Sequence, residues 1–198
     1  MRNINTKIAL SALSAVAATL LIGAGTYAYF SDVGTSNDNF FSSGTLDLKL
    51  SDDTVEFDQD NVTASFGGTD MAPGSCTAIA QLRAKNSGTV AGNHIEIAVV
   101  NNVTDNGADS IPNMDAFLRL ETFRYDGGNL SVADSNGNSF TDLADLATFG
   151  VDDLLLTNLS TDHTIELQVC LDSTATNAVQ GDSVDSDWTI TLNQHSSQ

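Results

Sequence analysis

The chain is short of cations. Against 26 Asp and Glu it carries 7 Lys and Arg, which gives a formal net charge of −19 at pH 7. A surface this poor in positive charge cannot neutralise phosphates, so nucleic acid and anionic membrane surfaces are not expected partners. The acids are dispersed along the chain and form no acidic tail. Salt shortens the screening length and makes such a density tolerable, which suits a saline habitat; a plain acidic secreted protein is the other reading.

Recognisable hydrolytic and metal-binding motifs are also missing. There is no HExxH, no GxSxG and no CxxC. A zincin needs two imidazoles one helical turn apart, so that both meet one metal while the Glu between them activates water. The histidines, His94, His163 and His195, lie far apart, and in HIEIA the Glu position is Ile95 and the second His position is Ala98. They read as solvent or strand-end residues, and neither an enzyme nor a required cofactor is expected. No clustered His and Cys set suggests structural zinc. Internal repeats, coiled coils and long linkers are absent as well.

Long apolar runs are confined to one place. Arg2 and Lys7 precede IALSALSAVAATLLI, residues 8–22, the layout of an export signal with a basic start, an apolar stretch and small residues beyond it. Thr26 and Ala28 suit the pockets of a peptidase, which places the cut after Ala28 and the mature start at Tyr29. The alternative is an uncleaved anchor, because residues 8–28 approach the roughly 20 residues that span a bilayer; Ser11, Ser14, Gly23 and Gly25 weaken that helix. The leader holds two cations and no acids, so the 170 residues after it carry −21. That length suits one domain with a real core.

Cysteine is limited to Cys76 and Cys170. Outside the cytoplasm such a pair is most simply a disulfide, and two buried free thiols are the alternative.

What is present is β-rich. GTLDLKL (44–50) alternates Leu46, Leu48 and Leu50 with polar residues, the period of a half-buried strand. Similar runs occur at 61–66, 76–85, 93–101, 117–125, 164–172 and 186–194. Gly, Asn and Asp at Pro73–Gly74, Asn86–Gly88, Ala91–Asn93 and Asp126–Asn129 supply turns. This spacing predicts an all-β, antiparallel sandwich. One segment departs from it: Phe140, Leu143, Leu146 and Phe149 recur at three-residue intervals, which predicts one short helix capped by Thr141 or Ser139, stopped by Gly150, and covering an edge or end of the sandwich.

Asp134, Asn136, Asn138, Asp142 and Asp145 fall at positions 1, 3, 5, 9 and 12 of an EF-hand-like loop, oxygen ligands suited to calcium. Ser139 stands where that loop needs Gly, and the twelfth residue is Asp instead of Glu; a turn with a capping Asp is the competing reading. Calcium bridging subunits through surface acids needs no motif. Asn61, Asn102, Asn129 and Asn158 are sequons that permit glycosylation.

Three blocks together carry a family likeness. GTYAYFSDVG followed by FSSGTLDLKL resembles the start of the camelysin/TasA family, MAPGSCTAIAQLRAKNSGTVAGNHIEI resembles its proline-glycine turn and paired strands, and TATNAVQGDSVDSDWTITLNQ is similar to its closing strand. Residues 102–156 carry only the strand pattern. The resemblance implies a jelly-roll-like domain at 44–198, a signal peptide at 1–28 cut by a dedicated signal peptidase, and secretion into an extracellular matrix. It further implies head-to-tail fibres in which the N-terminal segment of one subunit, 29–43, completes the sheet of the next. Donation is physically sound, because an open sheet edge presents unpaired N–H and C=O groups. The expected donor is Tyr29 to Asn39, with Tyr29, Phe30, Ser31, Asp32, Val33, Phe40 and Phe41 as the polymerisation segment. Its alternative is an ordinary first strand of the same domain, in a monomeric or anchored surface adhesin or minor matrix protein. Camelysin also gave its name to a surface metalloprotease, which the missing HExxH speaks against here.

Overall fold

The computed structural model describes residues 5–25, 33–52, 59–63, 66–106 and 113–196. The chain divides into two compact units, Met1–Ser42 and Ser43–Gln198. In the first, helix α1 (Thr6–Gly25) is built from Ala, Leu and Ile, strong helix formers apart from β-branched Ile. Its hydroxyls turn back on the helix, Ser11 Oγ donating to the Ile8 carbonyl at 2.9 Å and Thr19 Oγ1 to that of Ala15 at 3.0 Å. Among the described residues no helix is long and apolar enough to cross a membrane. Residues 33–42 carry no regular structure.

The second unit is an all-β sandwich of two antiparallel sheets with a short helix. One sheet has five strands: β1 (Leu48–Ser51), β2 (Ala80–Asn86), β4 (Leu118–Tyr125), β5 (Gly128–Asn129) and β7 (His163–Leu171), in the order β1-β2-β7-β4-β5. The other holds β3 (His94–Thr104), β6 (Val151–Leu155) and β8 (Ser183–Asn193), in the order β6-β3-β8. Period-2 alternation sends one set of side chains inward: Leu82 and Ala84 from β2, Ile95, Ile97 and Val99 from β3, Ile165, Leu167 and Val169 from β7, all buried. Strand β8 keeps strict register with β3 from His94↔Asn193 to Thr104↔Ser183.

Turn chemistry sets the register. Asp126 and Gly127 both have positive φ, 49° and 79°, which gives the β4–β5 hairpin the primed turn that matches strand twist. Asn86 points inward, accepting from Gly88 N at 3.0 Å and donating to the Val90 carbonyl at 2.9 Å, so it holds the turn after β2. Gly88 is required there, since a Cβ would come within 2.2 Å of the Thr45 carbonyl oxygen.

Three expectations need correction. The expected strand at 61–66 does not form at its described residues; Val62 and Phe66 pack on the core from a loop instead. Gly67 and Gly68 cut off the alternation of Val62, Ala64 and Phe66, which leaves too short a run to hold a ladder. The strand expected from Gly44 begins at Leu48, because the Thr45 carbonyl is taken by Thr89 N and Val90 N, at 2.8 and 3.1 Å. Helix α2 (Leu143–Phe149) forms and packs against β3, but its cap is Asp142, not Thr141 or Ser139. Asp142 is extended at φ −136°, so its carboxylate reaches Asp145 N, whereas Ser139 sits at φ 76°. Gly150 closes the helix as expected, at φ 60°. Strand β6, directly after it, escapes a period-2 reading because Asp152 and Asp153 are both exposed.

Candidate functional site

The two sheets are unequal, and the inequality makes the site. Among the described residues β8 hydrogen-bonds to β3 alone, so its far edge carries a row of unpaired backbone groups along 11 residues. Between that edge and the facing sheet lies a groove of about 1130 Å³. Its walls are the inward side chains Val184, Trp188 and Ile190 of β8 on one side and Leu82, Leu167 and Val169 on the other, with Leu50 and Phe66 at the margin. Trp188 is the largest of these. Phe66 packs on its ring at 4.8 Å between centroids, and its Nε1 donates to Ser186 Oγ at 3.1 Å, which in turn donates to Asn101 Oδ1 at 2.8 Å. The indole is thus fixed in orientation while part of the groove beside it stays open.

Loop 66–77 borders the groove through Met71, Pro73 and Thr77. It is laid against β7 by Gly74 N to the Leu171 carbonyl at 2.7 Å and Thr77 N to the Val169 carbonyl at 2.9 Å. Cys76 and Cys170 face each other in this pairing, 3.9 Å apart at Cα, and are joined as a disulfide.

Of the polymerisation segment, Tyr29, Phe30, Ser31 and Asp32 lie outside the described residues. Val33, Phe40 and Phe41 are exposed at 80%, 84% and 92%. Between them Asn39 Nδ2 donates to the Ser36 carbonyl at 3.0 Å, a local turn.

Of the five oxygen-bearing residues of the EF-hand-like loop, Asn136, Asn138, Asp142 and Asp145 are joined by hydrogen bonds while Asp134 closes a turn of its own, and protein donors fill the carboxylates. Asp142 accepts from Asp145 N at 3.0 Å and from the amides of Asn136 and Asn138 at 3.0 and 2.6 Å. Asp145 accepts from Asp142 N at 3.1 Å and from Ser135 N and Oγ at 2.7 Å, completing a capping box. Asp134 accepts from Gly137 N at 2.6 Å and Ser139 N at 2.9 Å. The Ser139 N–H, with Gly137 behind it, holds the Asp134 carboxyl below the usual carboxylate range. Burial pushes Asp142 up against the pull of its amide donors. As drawn, this geometry organises a loop and a helix start.

The sequons Asn61, Asn102, Asn129 and Asn158 are all exposed. The histidines sit in solvent or at strand ends as expected, His195 exposed and His94 and His163 at the starts of β3 and β7, but the two strand-end residues are also buried, at 1% and 9% exposed. The alternation of HIEIA gave no warning of this, because a residue at the strand start is buried by what packs over its end. His163 Nδ1 pairs with Asp126 Oδ2 at 2.7 Å and its ring stacks on Tyr125 at 5.7 Å. His94 Nε2 lies near Glu96, Asp152 and Asn193.

The comparisons bear on both features. Residues 3–198 match the family described as camelysin metallo-endopeptidase. No curated protein shows significant similarity to the chain. The family description implies a metal, and the fit can be tested on the residues. No helix carries HExxH; among the described residues the one grouping of three or more His and acid ligands is His94, Asp152 and Asp153, on β3 and β6.

Proposed function

The chain belongs to the camelysin family, as does TasA, and on that premise we propose that it is the structural subunit of an extracellular filament. Subunits join head to tail when residues 29–41 of one copy enter the β8 groove of the next. The observation that carries this reading is the edge of β8, unpaired among the described residues, beside a groove whose inner wall is apolar and whose rim is polar, in a chain whose Val33, Phe40 and Phe41 are uncovered. Lengths agree: β8 has 11 residues, about 37 Å of strand at about 3.4 Å each, and Tyr29 to Asn39 is the same number of residues. A donated strand would satisfy the open edge while its apolar side chains fill the groove, each fully buried one contributing about 1.5–3 kcal/mol.

Removal of the leader after Ala28 frees the end that donation needs, so processing controls assembly, and the filament forms outside the cell. The subunit is not itself an enzyme in this reading, and needs no cofactor to polymerise. The test is electron microscopy of the secreted protein with N-terminal mass spectrometry, beside a variant lacking residues 29–39. Filaments that start at Tyr29 and vanish in the deletion variant, while its domain stays folded, support the proposal. Filaments of unchanged length in that variant refute it. A peptidase assay with and without a chelator tests the non-enzymatic part, which fails if metal-dependent cleavage is found.

A further inference from the structure

The grouping at the opposite edge of the same sheet has an electrostatic arrangement that the filament reading does not use. His94 opens β3 and is almost wholly buried, and its Nδ1 lies 3.1 Å from Asn93 Oδ1. With that amide oxygen as acceptor, the neutral tautomer that donates from Nδ1 keeps its lone pair on Nε2, the ligand form of imidazole. That lone pair faces two anionic oxygens, Glu96 Oε1 and Asp152 Oδ1, each at 3.4 Å. Asn193 Nδ2, 3.3 Å away on the β8 side, donates to that lone pair and is the contact a bound ion would replace.

A third carboxylate joins them. Consecutive strand residues ordinarily point to opposite faces, but Asp153 has φ 60°, and the ligand oxygens of Asp152 and Asp153 lie with the His94 nitrogen within 4.8 Å of one another. The five cationic side chains of the sandwich unit are engaged elsewhere: Lys49 with Asp47, Lys85 with Asp162, Arg119 with Asp172, Arg124 with Glu166, and Arg83 with Ser51 Oγ and the Asp52 carbonyl.

We propose that His94 Nε2 and the carboxylates of Asp152 and Asp153 bind one divalent transition-metal cation of the zinc class. The spacing supports it. Two donors bound to one tetrahedral ion at about 2.1 Å sit about 3.4 Å apart, the separation between His94 Nε2 and Asp152 Oδ1. Mixed imidazole and carboxylate ligands select a borderline ion over calcium, which takes oxygen alone. The hydrogen bond from Nδ1 to Asn93 orients the ring, as the outer partner of a metal-bound histidine does. Bound there, the ion ties β6 to β3.

The test uses the secreted protein and zinc chloride as the probe, titrated calorimetrically in excess calcium to occupy dispersed surface acids. One saturable equivalent is expected. The double variant Asp152→Asn/Asp153→Asn, whose changed side chains are exposed, should bind at least about 10–100-fold more weakly. A control with Glu121→Gln/Asp162→Asn, both exposed and outside β3, β6 and β8, should bind as the parent does. In parallel, nitrogen-15 NMR should show the His94 Nε2 resonance move on zinc addition. Zinc binding equal in parent and Asp152/Asp153 variant overturns the site. So does a His94 that carries protons on both nitrogens at neutral pH and ignores zinc, which would make the cluster an ion pair.

Discussion

Replacing Val33 and Phe41 together by Asp separates donation from ordinary domain folding. Both side chains are exposed in the isolated chain, at 80% and 92%, so the monomer loses almost no buried apolar area and its unfolding midpoint should stay put. In a filament the same side chains are buried against a neighbour, and two such burials are worth about 3–6 kcal/mol. Subunit affinity should therefore fall by about 10²–10⁴, before the added charge on an already acidic subunit is counted. The assay is the critical concentration for pelletable polymer, measured beside a urea melt. The variant keeps an intact groove, so a small amount mixed into parent protein should also accept a donor strand and end the chain, shortening filaments. An unchanged critical concentration refutes the assignment of the donor. A large loss of monomer stability would refute it differently, by showing that these residues belong to their own domain's core.

Removing the disulfide with Cys76→Ser/Cys170→Ser should lower stability by about 2–5 kcal/mol, because the bridge closes a long loop with a sequence separation of 94; a denaturant melt reads it. Asp142→Ala removes the helix cap and strands the amides of Asn136 and Asn138, for about 2–4 kcal/mol and a Tm lower by about 5–15 °C in a scanning calorimeter. In acid, two carboxyls act with one sign: Asp134 is held down by the Ser139 N–H and Asp172 by the Thr174 hydroxyl, then the Thr174 N–H and Arg119. Their folded values lie below the unfolded 3.8, so their contribution is present above that pH and is lost as pH falls through the folded values; Asp142, raised by burial, opposes them. Asp172→Asn should flatten the loss of urea stability between about pH 4 and 2.

The strands that stood out in the sequence are those whose burial is set by their own alternation. Ile95, Ile97 and Val99 in β3, or Ile165, Leu167 and Val169 in β7, declare a face without help from partners. Strand β6 does not, because its acids occupy positions that a half-buried strand would give to one apolar residue and one polar residue. The helix was legible from its three-residue spacing, yet its cap was not, since Ser139, Thr141 and Asp142 are all competent and only the backbone angle decides. The groove was the least legible feature. Trp188 and Ile190 alternate as any half-buried strand would, and nothing local to SDWTITLNQ says that β8 has no second neighbour among the described residues. Edge status follows from strand order, and strand order is set by distant pairings. The cluster at His94 is non-local in the same way, joining the start of β3 to β6 across more than fifty residues.

The four sheet edges are not equivalent, and their differences give the proposed polymer its direction. Strand β5 has 2 residues and β1 has 4, too little ladder to hold a partner. Strand β6 has 5, interrupted by Asp153 in the left-handed region and by a register shift opposite Ile95 and Ile97. Short length, inserted charge and irregularity are the devices by which proteins blunt an edge. Strand β8 has 11 residues, unbroken register and no proline. Such a ladder, open among the described residues beside a groove with an apolar inner wall, invites edge-to-edge aggregation unless the edge is reserved for a specific partner. Asp185 and Asp187, exposed on the outer face of β8, place two like charges on each copy, which disfavours pairing of two β8 edges. A donated segment from another copy meets the same edge with its own sequence, and one groove then accepts one donor. One long open edge among the described residues and one donor segment on each subunit would give a linear chain with two unlike ends, the outcome that the mixing of donor-defective and parent subunits is designed to read.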